Sequence, residues 1–122
     1  MMKRIRGLVL LSLVLLPATL FAGEADIIKV GVDKTDSTYN FNVTVVHNDE
    51  GWQHYADKWD IVDPEGQVLA TRVLYHPHVN EQPFTRSLSG VAIDAGIRSV
   101  TVRAHDLVHN YGGKDMVVEL PR

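Results

Sequence analysis

The chain has 122 residues, 15 of them acidic against 12 basic, with six histidines and no cysteine. That length holds one ordinary domain, and the absence of thiols excludes disulfides, thiolate metal sites and cysteine nucleophiles. A formal net charge of −3 repels phosphate backbones, which argues against nucleic acid as a partner.

The first two dozen residues read as a targeting segment. Lys3, Arg4 and Arg6 form a positive start, Leu8 to Leu16 is apolar apart from Ser12, and small residues follow Pro17 at Ala22, Gly23 and Ala25. That order predicts a signal peptide over 1–22, with cleavage after Ala22 or after Ala25. The apolar run is shorter than the ~20 residues a bilayer span needs, so no membrane span is expected after cleavage. No cysteine is available for lipoprotein attachment. Removing three bases and no acid leaves nine basic against fifteen acidic side chains, a net charge of −6. The expected location is periplasmic or secreted, with a single domain over 26–122.

From Asp26 onward the apolar period is two, which selects strands over helices. Ile28, Val30 and Val32 alternate in the first strand. Tyr39, Phe41, Val43 and Val45 line one face of the second, with Asn40, Asn42 and Thr44 on the other. A third strand runs near Lys58–Asp63 with Trp59 and Ile61 inward, closed by the turn Asp63-Pro64-Glu65-Gly66. The fourth covers Val68–Leu74, the fifth Ser87–Ile93 and the sixth Arg98–Ala104, with Val100, Val102 and Ala104 on one face. The seventh is Met116–Leu120. Seven short strands in about 100 residues predict an all-β fold, an immunoglobulin-like or fibronectin-III-like antiparallel β-sandwich. A closed barrel is the rival. The cysteine pair of antibody domains is missing.

Connection lengths alternate. The first, third and fifth are short; the second (Asn48–Asp57), fourth (Tyr75–Arg86) and sixth (His105–Lys114) are long. Successive connections in such a chain alternate between the two ends, so the three long loops share one pole. All six histidines lie in or beside them: His47 and His54, His76 and His78, His105 and His109. So do Trp52, Tyr55, Tyr75, Glu81, Arg86, Asp106 and Tyr111. Function is expected at that pole.

Imidazole is the commonest neutral ligand for transition metals, and carboxylates complete or orient such sites. The candidate metal ligands are His54, His76, His78, His105 and His109, for zinc or copper. In His76-Pro77-His78 an extended backbone would point both rings the same way; His105 and His109 converge only across a helical turn. Neither spacing is a zinc signature. His47 continues the inward parity of Val43 and Val45 and reads as a rim histidine hydrogen-bonded to backbone. His105 continues the outward parity of Thr101 and Arg103. Trp59 reads as core, Trp52 and Tyr55 as a clamp on their loop, Gly112-Gly113 as a turn needing positive φ, and Glu81 with Arg86 as a surface pair.

Three stretches carry a resemblance: Gly51-Trp52-Gln53-His54-Tyr55-Ala56-Asp57-Lys58-Trp59; Tyr75-His76-Pro77-His78 through Glu81-Gln82-Pro83-Phe84-Thr85-Arg86-Ser87-Leu88; and Val108-His109-Asn110-Tyr111-Gly112-Gly113. In these the chain resembles an uncharacterised family of small secreted bacterial proteins, with Asn110 standing where members carry glycine. The resemblance implies an exported domain and no particular chemistry.

The functional expectation is therefore an exported, non-enzymatic binding module that holds zinc or copper through its histidine-rich loops. The alternative is an interaction domain that grips an unknown protein, peptide, glycan or small ligand with Trp52, Tyr55, Tyr75, Glu81, Arg86, Asp106 and Tyr111. An enzyme ranks last, because neither Ser87 nor Ser89 sits in a nucleophile elbow and a small sandwich offers little concavity.

Overall fold

A computed structural model describes residues 23–122; the signal-peptide reading of 1–22 falls outside the described residues. Seven strands follow one another: β1 (Asp26–Thr35), β2 (Thr38–Val46), β3 (Ala56–Val62), β4 (Val68–Val73), β5 (Phe84–Ala92), β6 (Ser99–Asp106) and β7 (Met116–Glu119). They form two antiparallel sheets, of order β1-β2-β5 and β4-β3-β6-β7. This is an open β-sandwich and not a closed barrel. The fourth strand pairs with the third, whereas constant-type antibody domains place it in the opposite sheet. Among the described residues no helix is long and apolar enough to cross a membrane.

The core follows the period-two faces. Phe41, Val43 and Val45 of β2 meet Trp59 and Ile61 of β3 and Val100, Val102 and Ala104 of β6 across the layers, all essentially buried. Each such aromatic or β-branched side chain contributes roughly 1.5–3 kcal/mol when taken fully out of water. The central strands β2, β3 and β6 supply most of it because each is paired on both sides.

The structure corrects the first strand. The register shifts between Ile27 and Lys29, so Ile28 is turned outward and Ile27 is buried. A bulge adds one residue without a partner and resets which side faces in, which a strict alternation from Ile28 misses. β5 also begins earlier than expected, at a buried Phe84, and β6 continues through His105 to Asp106. That extension matters, because it carries Asp106 into the interior.

The two poles differ as the connection lengths imply. The third and fifth connections meet in a shallow groove lined by Asp63, Pro64, Glu65, Asp94 and Gly96. At the other pole the long loops bond to one another. Asp49 Oδ2 accepts from the backbone N–H of His78 at 2.6 Å, and the N–H of Leu107 donates to the carbonyl of Tyr55 at 3.3 Å.

Candidate metal centre

Three segments converge at this pole. β2 ends at Val46, and His47 keeps the inward parity, leaving it only 2% exposed. The loop then turns tightly at Gly51, with φ of +113°. The N–H of His54 donates to the Gly51 carbonyl, and that of Glu50 donates to the His54 carbonyl. This small closed turn swings His54 back over His47. From the other side β6 delivers Asp106, fully buried. Its Oδ1 accepts from the N–H groups of Val108 and His109 at 2.8 and 2.6 Å. Asn110 closes that turn at φ +57°, a left-handed conformation that asparagine tolerates better than most residues.

The result is a cluster whose nitrogens and oxygens face a common centre. His47 Nε2 lies 3.3 Å from His54 Nε2 and 3.7 Å from Asp106 Oδ2, and His54 Nε2 lies 3.4 Å from Asp106 Oδ1. One ligand atom from each of the three residues lies within 4.8 Å of the others. Two nitrogens on one tetrahedral ion, with bonds of about 2.0–2.1 Å, would stand about 3.3–3.4 Å apart. The far ring nitrogens are held as well. His47 Nδ1 bonds to Asp49 Oδ1, and His54 Nδ1 lies 2.8 Å from Glu50 Oε1. A carboxylate on Nδ1 puts the proton there and leaves the Nε2 lone pair free, the arrangement that orients metal-binding histidines. Two lone pairs facing each other at 3.3 Å repel unless a cation or a proton sits between them.

Electrostatics agree. Burial by itself would lower the pKa of His47, but the hydrogen bond and charge of Asp49, the charge of Asp106 and the Gly23 carbonyl outweigh it and raise the pKa above 6.5. Burial likewise works to raise both carboxylates. Asp49 is nonetheless held below its usual range by His47 and by the N–H groups of His78 and Ala56, and Asp106 by the N–H groups of His109 and Val108 and by His47. The site stabilises positive charge at the point where the two imidazoles meet. His47 Nε2 also reaches the Gly23 carbonyl at 2.8 Å, a second oxygen beside the cluster. Asp106 Oδ2 and His109 Nδ1 are buried with no hydrogen-bond partner among the described residues, an arrangement that costs about 1–3 kcal/mol per group when nothing satisfies it.

The expected ligands divide. His54 is in the cluster. His109 borders it, with Nδ1 3.3 Å from Asp106 Oδ1 and its ring 5.1 Å from that of His54. Asp106, expected only among the loop candidates, is a central member. His76 and His78 stack loosely on each other at 4.8 Å. His78 lies flat on Phe84 at 4.0 Å, both ring nitrogens buried and without a hydrogen-bond partner among the described residues, and burial followed by the charges of Arg86 and His76 lowers its pKa. His105 belongs to a different group on the outer face of the four-stranded sheet. Its Nδ1 lies 2.6 Å from Asp57 Oδ1, and its ring meets Tyr111 edge-on. Tyr111 donates to buried Asp60 at 2.6 Å and lies beneath the Arg103 guanidinium at 4.0 Å. Glu81 pairs with Arg86 at 3.0 Å. Trp52 packs edge-on to Tyr55, yet Trp52 and Tyr75 remain 65% and 73% exposed.

Two readings of single residues change. His47 does bond a backbone carbonyl, but it is also a member of the cluster. The signal for it lay in the loop itself, where His47-x-Asp49-Glu50-x-x-x-His54 interleaves two imidazoles with two carboxylates able to orient them. Gly112 and Gly113 are not among the positive-φ glycines. They are glycines because the N-terminal segment passes so closely. A β-carbon at 112 would lie 2.9 Å from Glu24 Cγ, and one at 113 would collide with the Ala25 carbonyl and come within 2.7 Å of Asp26 Oδ1.

No known family profile matches the chain, and no solved structure matches it. A protein of Halomicrobium mukohataei described as a candidate lipoprotein is 38% identical over 97 residues, covering 79% of this chain and 47% of the relative. The chain therefore spans about half the length of the curated relative it matches.

Proposed function

We propose that this is an exported, non-catalytic binding domain that holds one transition-metal ion, zinc or copper, between His47, His54 and Asp106. The observation that carries this reading is the pair of Nε2 atoms 3.3 Å apart, each with its Nδ1 held by a carboxylate. Two imidazoles and a carboxylate, without a thiolate, suit zinc, copper(II) or nickel better than copper(I). Export is supported by the basic, apolar and small-residue order of the first 25 residues and by the description of the Halomicrobium relative as a candidate lipoprotein.

The test is direct. The domain is purified without a histidine tag, and bound zinc, copper and nickel are measured. Each metal is then titrated while its affinity and the melting temperature are followed. One equivalent is expected to bind. His54→Ala should weaken that binding at least about tenfold, and the melting temperature of the metal-free variant, recorded alongside, separates loss of a ligand from loss of packing at this largely buried ring. Absence of binding, or unchanged binding by the variant, would remove the reading.

A second reading has its own observation. Trp52, Tyr75, Val79, Leu107 and Val108 are exposed around the same pole, and exposed apolar side chains gathered at one place mark binding surfaces. We therefore propose that a protein, peptide or glycan partner would be met on this rim. Loss of capture by a Trp52→Ala, Tyr75→Ala double variant that still binds metal would separate the rim from the ion.

A further inference from the structure

We infer that the mature chain begins at Gly23 and that its free α-amino group and its carbonyl oxygen join His47, His54 and Asp106 around the metal. This inference rests on the metal reading and adds to it the terminus that completes the site.

Two cleavage positions fit the sequence, after Ala22 and after Ala25, and packing discriminates between them. Ala25 is 1% exposed and belongs to the hydrophobic core. Gly112 and Gly113 lack the side chains that would collide with Glu24 and Ala25, so the sixth connection is shaped to receive this segment. The Gly23 carbonyl oxygen lies 2.8 Å from Nε2 of buried His47. A cut after Ala25 would discard a core residue, strip the floor from two glycines and leave His47 Nε2 without its oxygen. A cut after Ala22 removes none of these.

That cut also creates a ligand. A β-carbon on Gly23 would stand 2.9 Å from His109 Cε1 and 3.5 Å from His54 Cε1. Covalent geometry keeps the Gly23 nitrogen within about 2.5 Å of that same point, so the new amine emerges among the imidazoles. The absence of a side chain is what admits the backbone there. An α-amine and the carbonyl of the same residue close a five-membered ring on a cation, and the carbonyl is already 2.8 Å from His47 Nε2. An α-amino group loses its proton near pH 8, so a metal ion can displace that proton at neutral pH. Before processing the same nitrogen is an amide, which has no lone pair to give. Removal of the leader would thus mature the site, keeping full affinity for the exported form.

The experiment has two arms. In the first, the full 122-residue chain is expressed with export from a Gram-negative host, and the intact mass of the exported product is measured. A product beginning at Gly23 is expected; one beginning at Asp26 overturns the inference. In the second, zinc and copper(II) are titrated into protein beginning at Gly23 and into protein that retains Ala22. Metal-free melting temperatures of both are recorded. The retained residue should weaken binding at least about tenfold with little change in metal-free melting. Equal affinities overturn the role of the amine and leave the His47–His54–Asp106 site standing. Binding by neither form removes both.

Discussion

At the scale of single residues, the carboxylates behind the histidines are what favours the proposed metal centre over a chance meeting of rings. Glu50 is the informative one, because its side chain is 63% exposed and its recorded side-chain partner is His54. Glu50→Gln should leave the melting temperature of the metal-free protein within about a degree or two, since exposed pairs contribute little. It should weaken metal binding about tenfold, because a neutral amide fixes the tautomer of His54 and raises its basicity less than the carboxylate does. Calorimetric titration of the variant checks both halves, and an unchanged affinity would mean that the Glu50 charge does not tune His54 for the ion. His78 makes a different prediction. Its pKa is lowered in the folded state, chiefly by burial, so its neutral form contributes stability that is complete above the unfolded value of about 6.5 and is lost as pH falls through the folded value. His78→Phe keeps the stack on Phe84 and removes the titration. Between about pH 7 and pH 5 the wild-type melting temperature should therefore fall more than that of the variant; parallel curves would contradict the assignment.

At the scale of elements, the alternation of β2 was legible because every one of its inward residues is large and apolar and its outward ones are polar. β1 was not, because two adjacent isoleucines give no parity of their own and the bulge lies between Ile27 and Lys29. The two positions can be separated by mutation. Ile27→Ala should cost about 2–4 kcal/mol, the usual range for emptying a buried isoleucine site. Ile28→Ala should stay within about 1 kcal/mol, because that side chain is 47% exposed. Urea titration of the two variants tests the register; equal losses would place the bulge elsewhere. The end of β6 follows the same logic. His105 and Asp106 read as the start of a loop, yet ladder pairing with Ala56 and Lys58 continues through both. Two more strand residues turn Asp106 inward beside His47 and leave His105 on the outer face with Asp57.

At the scale of the whole molecule, an acidic, disulfide-free domain of about a hundred residues has a small margin of stability, and a bound ion would be a substantial part of it. Metal at a hundredfold its Kd adds about 2.7 kcal/mol, which for a domain of this size raises the melting temperature by roughly 10–20 °C. The increment should grow with pH. In the metal-free protein His47 has a raised pKa, so the stability it contributes is complete below about 6.5 and fades as pH rises through the folded value. An ion bound there would have to displace that proton, so its binding would strengthen over the same interval. Melting curves with and without zinc should diverge from about pH 6 to pH 8, and a constant gap would show that no ligand loses a proton on binding.

The sequence by itself determined what depends on local pattern. Period-two faces built the strands, turn chemistry and connection length sorted the loops, and the odd-and-even alternation of connections gathered every histidine at one pole. Within that pole, choosing ligands required distances that spacing along the chain does not contain. Tertiary structure decided that His47 faces His54, that Asp106 is drawn inside by a lengthened strand, and that His105 faces the other way. Side-chain direction in a strand reverses with every residue, so one bulge or one added pairing redirects a side chain completely, and only the packed sandwich determines where those shifts fall.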